Sequence, residues 1–305
     1  MSFPNWQLFL GSRAILIYNY RQDSGVFGHG QRLRDLTVTR NYGTIYTIGS
    51  RELTAMPAGQ FRVSWGIDAV LSNLNILCLL FECSNQQNGF TGSTLREPIY
   101  FDIQGYLASG QTIKKLNMTN AVLMETNISA EAGRPEVSLS LTGVARDIGV
   151  SDETSVPAVS FPQRLFTFAG ARLLAIDNSE IYSTRAEISI RQGGEPVYRI
   201  GDDKFGAVYL GEYEVSLTAE IPLSNISINY LNKLLNNECI NGIKFELKSC
   251  NDPICSNQGQ ATITFTTEGV GKIVDYRMPI TDIGLNTTTL EMRFSRVLME
   301  VVYQQ

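Results

Sequence analysis

Few residues in this chain of 305 are suited to nucleophilic or metal chemistry: a single histidine, five cysteines and dispersed carboxylates. His29 lies in the glycine-rich run from Arg21 to Gln31, and its spacing implies no partner nucleophile or carboxylate. A Ser-His-Asp or Cys-His site therefore has no support, and an ordinary loop histidine is the plainer reading. Cys250 and Cys255 flank Asp252, but the nearest further thiol is Cys239 and the one imidazole sits in the other half of the chain, so a tetrahedral metal site lacks ligands. Asp202-Asp203 follows a glycine and could hold a cation, although aspartates in turns commonly serve backbone hydrogen bonding alone. Gly25, Gly28 and Gly30 have the wrong spacing for a dinucleotide fingerprint, and no phosphate-cradling loop occurs elsewhere. The expectation is no catalytic residue, no metal and no cofactor. An enzyme would require carboxylates to converge only in three dimensions.

The elements that carry these residues occur twice. At a constant offset of 152, residues 44–73 and 196–225 share ten of thirty residues, where unrelated sequence would share about two. Tyr46, Ile48 and Gly49 fall on Tyr198, Ile200 and Gly201; Gly59 falls on Gly211; Val63-Ser64 on Val215-Ser216; and Leu71-Ser72-Asn73 on Leu223-Ser224-Asn225. Upstream, Phe3-Pro4 and the run from Gly11 to Ile17 find partners in Phe161-Pro162 and the run from Gly170 to Ile176. Downstream, 122–144 and 276–297 share only a strand, turn, strand pattern. The sequence reads as a tandem duplication, with domains at 1–150 and 151–305.

Composition limits the function classes. The hydrophobic fraction is 43%, the charged fraction 18% and the net charge -5. Gripping nucleic acid needs clustered Lys and Arg, and the densest groups here, Arg32-Leu33-Arg34 and Lys114-Lys115, are too small for that. No run approaches the eighteen or so apolar residues of a membrane helix, and no basic-then-apolar leader opens the sequence. A soluble protein made in a cytoplasm is expected, with no membrane insertion. Cys78, Cys83, Cys239, Cys250 and Cys255 are odd in number and unmatched between copies, which implies free thiols. The sequons at Asn117, Asn127, Asn225 and Asn286 carry no weight without a secretory route.

Strand signals dominate. The first copy has them at 8–17, 36–40, 44–48, 61–70, 99–103, 121–128 and 137–144. The second has them at 164–176, 185–190, 196–200, 213–221, 243–247, 261–266, 273–278 and 289–302. Strict alternation through 61–68 and 213–220 marks strands with one wet face. After each of these comes Leu-Ser-Asn and one expected helix. In the second copy Ile226, Tyr230, Leu231, Leu234 and Leu235 have helical spacing behind a Ser224 or Asn225 cap. In the first, 73–81 is more apolar throughout and is either a buried helix or a strand. Residues 145–162 lack periodicity and read as the linker. The loop from Arg21 to Leu33 is longer than its counterpart at 177–184 and carries Val26 and Phe27 as exposed apolar residues of the kind that make contacts.

The series Pro196-Val-Tyr-Arg-Ile-Gly201, Phe205-Gly206 and Gly211–Ile221, then a short helix, together with the strand pair 122–128 and 135–144, resembles the tail-tube family of bacteriophages and contractile injection machines. The resemblance implies a mainly β fold, with two tandem β-barrel or sandwich domains of tail-tube type, each flanked by one helix. It also implies a structural virion protein whose function is self-association into stacked rings that form the tail tube. Its partners would be sheath, tape-measure and baseplate or neck proteins. DNA would be met only in transit through the lumen, and assembly would take place in the host bacterial cytoplasm. On this reading the hairpin loop with Arg21, Val26, Phe27, His29 and Arg32 makes the inter-ring contact, and an acidic lumen lets DNA slide.

Ring stoichiometry stays open. Three double-domain chains would make a pseudo-hexameric ring, as in baseplate hubs or tube initiators, and six chains would make either two stacked rings or one ring with outer domains. The absence of a lysozyme-like or spike-binding segment favours the tube. The alternative from another class is a glycan-binding or capsid-decoration protein, in which Tyr18, Tyr20 and Phe27 stack on a partner.

Overall fold

The computed structural model describes residues 14–21, 23–42, 44–46, 53–55, 58–95, 97–109, 112–161, 164–176, 179–250, 260–278 and 287–304. The proposed strand start at 8–13 and the residues Asp252, Cys255 and Asn286 lie outside them. Among the described residues the chain is mainly β. From the first copy come β1 (Ala14–Tyr20), β2 (Asp23–Val26), β3 (His29–Tyr42), β4 (Ile45–Tyr46), β5 (Leu53–Ala55), β6 (Ala58–Val70), β7 (Phe81–Gln86), β8 (Gly89–Thr94), β9 (Phe101–Ser109), β10 (Thr112–Glu131) and β11 (Ser138–Glu153). From the second come β12 (Phe166–Ile176), β13 (Arg185–Tyr198), β14 (Phe205–Pro222), helix α1 (Asn225–Leu235), β15 (Ile243–Ser249), β16 (Ala261–Glu268), β17 (Lys272–Arg277), β18 (Thr287–Phe294) and β19 (Arg296–Tyr303).

The larger sheet runs β17-β18-β14-β13-β10-β11-β6-β3, with β9, β1 and β2 attached beside β10. A second sheet runs β12-β15-β16-β19-β8-β7. Both sheets take strands from either side of residue 150. One apolar cluster joins them, from Trp65, Ile67 and Leu141 to Ile188, Leu217, Phe245, Phe265 and Val301. The alternation read from the sequence places these side chains. On β14, Val215, Leu217, Ala219 and Ile221 are buried, while the residues between them are half-exposed.

Each copy has its short helix after Leu-Ser-Asn, for the reason the sequence suggests. Ser224 caps α1: its Oγ accepts from Ser227 N at 3.4 Å, and Ser227 Oγ accepts from Ser224 N at 2.8 Å. The first-copy counterpart is a 3₁₀ helix, Leu74–Leu79, capped by Asn73, whose Oδ1 accepts from Asn75 N at 3.1 Å. Leu74, Ile76, Leu77 and Leu79 are all buried, which explains the all-round apolar character that left its type undecided.

Two expectations are corrected. Cys78 and Cys83 form a disulfide, because the turn after the 3₁₀ helix brings their Cα atoms to 5.5 Å. An odd cysteine count does not preclude so local a pair; Cys239 is an exposed free thiol. The segment 145–162 is not linker throughout: β11 continues to Glu153 because the longer β10 offers it a partner, with Lys115 opposite Ser151 and Lys114 in an ion pair with Asp152. No helix among the described residues is long and apolar enough to cross a membrane.

Candidate assembly surfaces

The eight-strand path of the large sheet is one four-strand unit used twice. In the first copy β3 pairs with β6 so that Leu36 faces Trp65, Thr37 faces Ser64 and Val38 faces Val63. In the second, β13 pairs with β14 so that Ile188 faces Leu217, Ser189 faces Ser216 and Ile190 faces Val215, each residue 152 further on. One irregularity recurs as well. The ladder slips between Arg40 and Tyr42, where Tyr42 resumes against Ala58, and again between Gln192 and Gly194, where Gly194 resumes against Leu210.

The hairpin β10–β11 likewise corresponds to β17–β18, with a bulge between Leu123 and Glu125 in one and between Ile273 and Asp275 in the other, an offset of 150. The sheet is thus the unit β10-β11-β6-β3 joined to the unit β17-β18-β14-β13. The junction is β13 against β10, with Ile190 opposite Thr126 and Ile188 opposite Ile128.

The junction leaves two ends without a partner strand among the described residues, β3 and β17. Each is the counterpart of a strand that is covered at the junction. Ile190 is 0% exposed, while its counterpart Val38 is 46% exposed; Ile128 is 0% exposed, while its counterpart Met278 is 40% exposed. Open edges of this length template further pairing.

The sheet face away from the core is polar. Arg62, Ser64 and Asp68 of β6, Ser138, Ser140 and Thr142 of β11, and Glu214, Ser216, Thr218 and Glu220 of β14 share it by alternation. One row crosses six strands as Asp68, Ser140, Asn127, Ser189, Ser216 and Arg293. Carboxylates on this face meet arginines: Asp68 accepts from Arg32 at 2.9 Å and from Arg34 at 3.2 Å, Glu187 pairs with Arg185 at 2.8 Å, and Glu291 pairs with Arg293 at 3.1 Å.

These observations fit a family finding. A family model described as phage tail tube protein matches residues 19–288. The chain belongs to the phage tail tube protein family. No curated protein matches it. As a tail tube protein it is a structural component of the virion tail, and the mainly β architecture expected from the sequence holds.

The residues singled out for the tube's contact loop are placed differently from expectation. Val26 and Phe27 are 1% and 0% exposed. The segment from Arg21 is no projecting loop: β1 and β2 form a tight hairpin with Arg21 at its turn, where φ is 55°, and the chain then doubles back. The Phe27 ring packs edge-on to Tyr18 at 5.6 Å, Phe27 N donates to Gln31 Oε1 at 3.0 Å, and Val26 O accepts from Asn73 Nδ2 at 2.6 Å. A Cβ at Gly28 would lie 2.3 Å from Val70 O, so this glycine permits the close return. The His29 ring stacks on Phe161 at 5.5 Å, and the His29 backbone N–H donates to Ser72 Oγ at 3.2 Å. Arg32 is spent on Asp68, and Arg21 lies over the Tyr20 ring at 4.9 Å. Tyr18 and Phe27, buried in the core, provide no stacking platform for a glycan.

The long hairpin is instead β13–β14, with Ile200 fully exposed in its turn and Tyr209 70% exposed on its flank. Its turn end is tied to the first copy: Phe61 N donates to Asp203 O at 2.7 Å, Tyr198 OH donates to Phe61 O at 3.0 Å, and Arg40 pairs with Asp203 at 2.7 Å. Asp202 Oδ1 accepts from Lys204 N at 2.9 Å, so this acidic pair acts in the turn. Nearby Asp147 bonds Lys204 Nζ. Burial works against its charged form, but the bonds from Lys204 and from Ile148 N hold its pKa below the usual carboxylate value. The 152-residue repeat would have located this hairpin, since Tyr198–Gly201 is the most strongly repeated stretch at its tip.

Proposed function

We propose that this tail tube protein assembles edge to edge into rings, that the rings stack into the tube, and that DNA passes through the lumen bounded by the polar face of the large sheet. The observation that carries this reading is the pair of open strands at the two ends of a sheet already built from two equivalent units. Closing such a sheet on neighbouring copies removes both edges. The polar face supports a DNA-conducting lumen: short hydroxyls and carboxylates neutralised by arginine offer phosphates neither a basic grip nor an apolar contact. This is a mixed surface rather than the acidic one expected from net charge.

Contact between rings is assigned to the turn of the β13–β14 hairpin, with Ile200 as its apolar anchor. Tail partners and assembly in the host cytoplasm follow from the same reading. Electron microscopy of the purified protein tests it: hollow rings or tubes are expected. A dispersed monomer at millimolar concentration overturns it in favour of a surface-binding β protein.

A further inference from the structure

We infer that Cys78 and Cys83 form a redox latch, two thiols while the chain is in a reducing cytoplasm and a disulfide once it has left. The compartments come from the proposed function; what the latch holds comes from the fold alone. The bond joins the 3₁₀ helix Leu74–Leu79 to β7 across a single linking residue, Leu80. A 3₁₀ helix of this length is longer than its hydrogen-bond geometry usually sustains. The chain continues into β7, the terminal strand of the second sheet, which pairs only with β8 among the described residues. Backbone pairing holds both elements weakly at this corner, and the sulfur bridge ties one to the other.

The second copy shows what the bond replaces. There the corresponding helix is the longer α1, and residues 236–242 separate it from β15. Tyr230, the counterpart of Cys78 at offset 152, is buried, and its OH donates to Ile176 O at 3.4 Å. The first copy has neither that ring nor that length of helix, and a covalent bond stands in their place. Leu80, enclosed by the bond, is buried, and its carbonyl accepts from Gln192 Nε2 of β13 at 2.9 Å. Gln192 is itself buried, beside the bulge of β13. Closing the latch therefore fixes both the outer edge of the second sheet and a hydrogen bond between the two copies.

Both cysteines are half-buried rather than sealed in the core, so a small thiol or disulfide can reach them. Glutathione and thioredoxin keep cytosolic cysteines reduced, and an oxidising medium does not. Closure is two exchanges with a small disulfide such as oxidised glutathione. One cysteine thiolate attacks a glutathione sulfur and releases one glutathione thiolate; the other cysteine then attacks the mixed disulfide and releases the second. The protein gives up two electrons and two protons, and the oxidised glutathione takes them up as two thiols. Excess reduced glutathione runs the same steps backwards. For so short a closed loop, with a sequence separation of 5, chain entropy makes the bonded form roughly 40-fold harder to open.

The test titrates the purified protein with mixtures of reduced and oxidised glutathione, blocks thiols with iodoacetamide and weighs the peptide that contains residues 78–83, with hydrogen exchange followed in parallel. Reversible passage between the bonded and the doubly alkylated peptide is expected. Amides of Phe81–Gln86 should exchange roughly 40-fold faster in the open form while those of β14 keep their rate. A pair that stays bonded in millimolar reduced glutathione, or equal exchange in both forms, overturns the latch. A chain with both Cys78→Ser and Cys83→Ser should match the open form, and exchange at the closed-form rate overturns the latch as well; the titration reads the unsubstituted chain, so the result does not depend on that variant folding. To place the switch in the cell, expressing cells are lysed in acid and alkylated at once. Two alkyl groups on the pair in cells, and none on protein recovered from an oxidising medium, are expected. A bonded pair inside the cells overturns the latch, and rings or tubes formed by such protein leave the tube reading standing. Open thiols inside the cells, with neither rings nor tubes from the purified protein, sustain the latch and refute the tube reading alone.

Discussion

Met124 and Gly194 meet where the two halves of the large sheet are joined, and the glycine's missing side chain is what lets the methionine lie flat. A Cβ at Gly194 would fall 2.6 Å from Met124 Cε and 2.8 Å from the carbonyl oxygen of Tyr209. The methionine is flexible enough to yield; the backbone oxygen is not. Gly194→Ala is therefore expected to destabilise the chain by about 1–3 kcal/mol, an overpacking cost. Chemical denaturation checks this, and a variant as stable as the parent would show that the bulge relaxes freely.

The capping box of α1 offers a second check. Ser224→Ala removes the acceptor for Ser227 N and is expected to cost about 1 kcal/mol, whereas Ser224→Asp should restore most of it. Paired unfolding curves for the two variants would separate lost capping from lost packing.

Alkaline stability has an identifiable contributor. Burial pushes the Tyr213 phenol well above its ordinary pKa of 10.0. The unfolded chain loses this proton near pH 10 and the folded chain does not, so the stabilising effect is whole below pH 10 and is lost as pH rises from there towards the folded value. Tyr213→Phe, which places at 213 the residue found at the corresponding Phe61, should flatten the fall in stability above pH 10 and leave neutral pH little changed. Thermal melts from pH 7 to 11 would read it.

Ile200 separates ring closure from ring stacking. It is fully exposed in the turn of β13–β14. Ile200→Ser is expected to leave single rings and suppress tubes in negative-stain images. Tubes of normal length would move the stacking contact elsewhere.

What could be read from the sequence was whatever depends on local period and repetition. Alternation in 61–68 and 213–220 identified the central strands and their buried faces, Leu-Ser-Asn located both helices, and the repeat at offset 152 foreshadowed a strand pairing that the structure matches residue for residue from Leu36 to Tyr42. The family resemblance rested on the same turns and strands. Two features depended on long-range partners. Val26 and Phe27 look exposed because they sit among glycines, yet Tyr18 across the hairpin and Asn73 and Val70, distant in sequence, hold them in the core. Residues 146–153 lack a hydrophobic period because β10 on their edge, rather than an apolar face beneath them, holds them in the sheet. That the two copies share one sheet, and that its ends repeat its own centre, was decided by tertiary structure. Hydrogen-bond pairing between strands leaves no trace in the order of residues along either one.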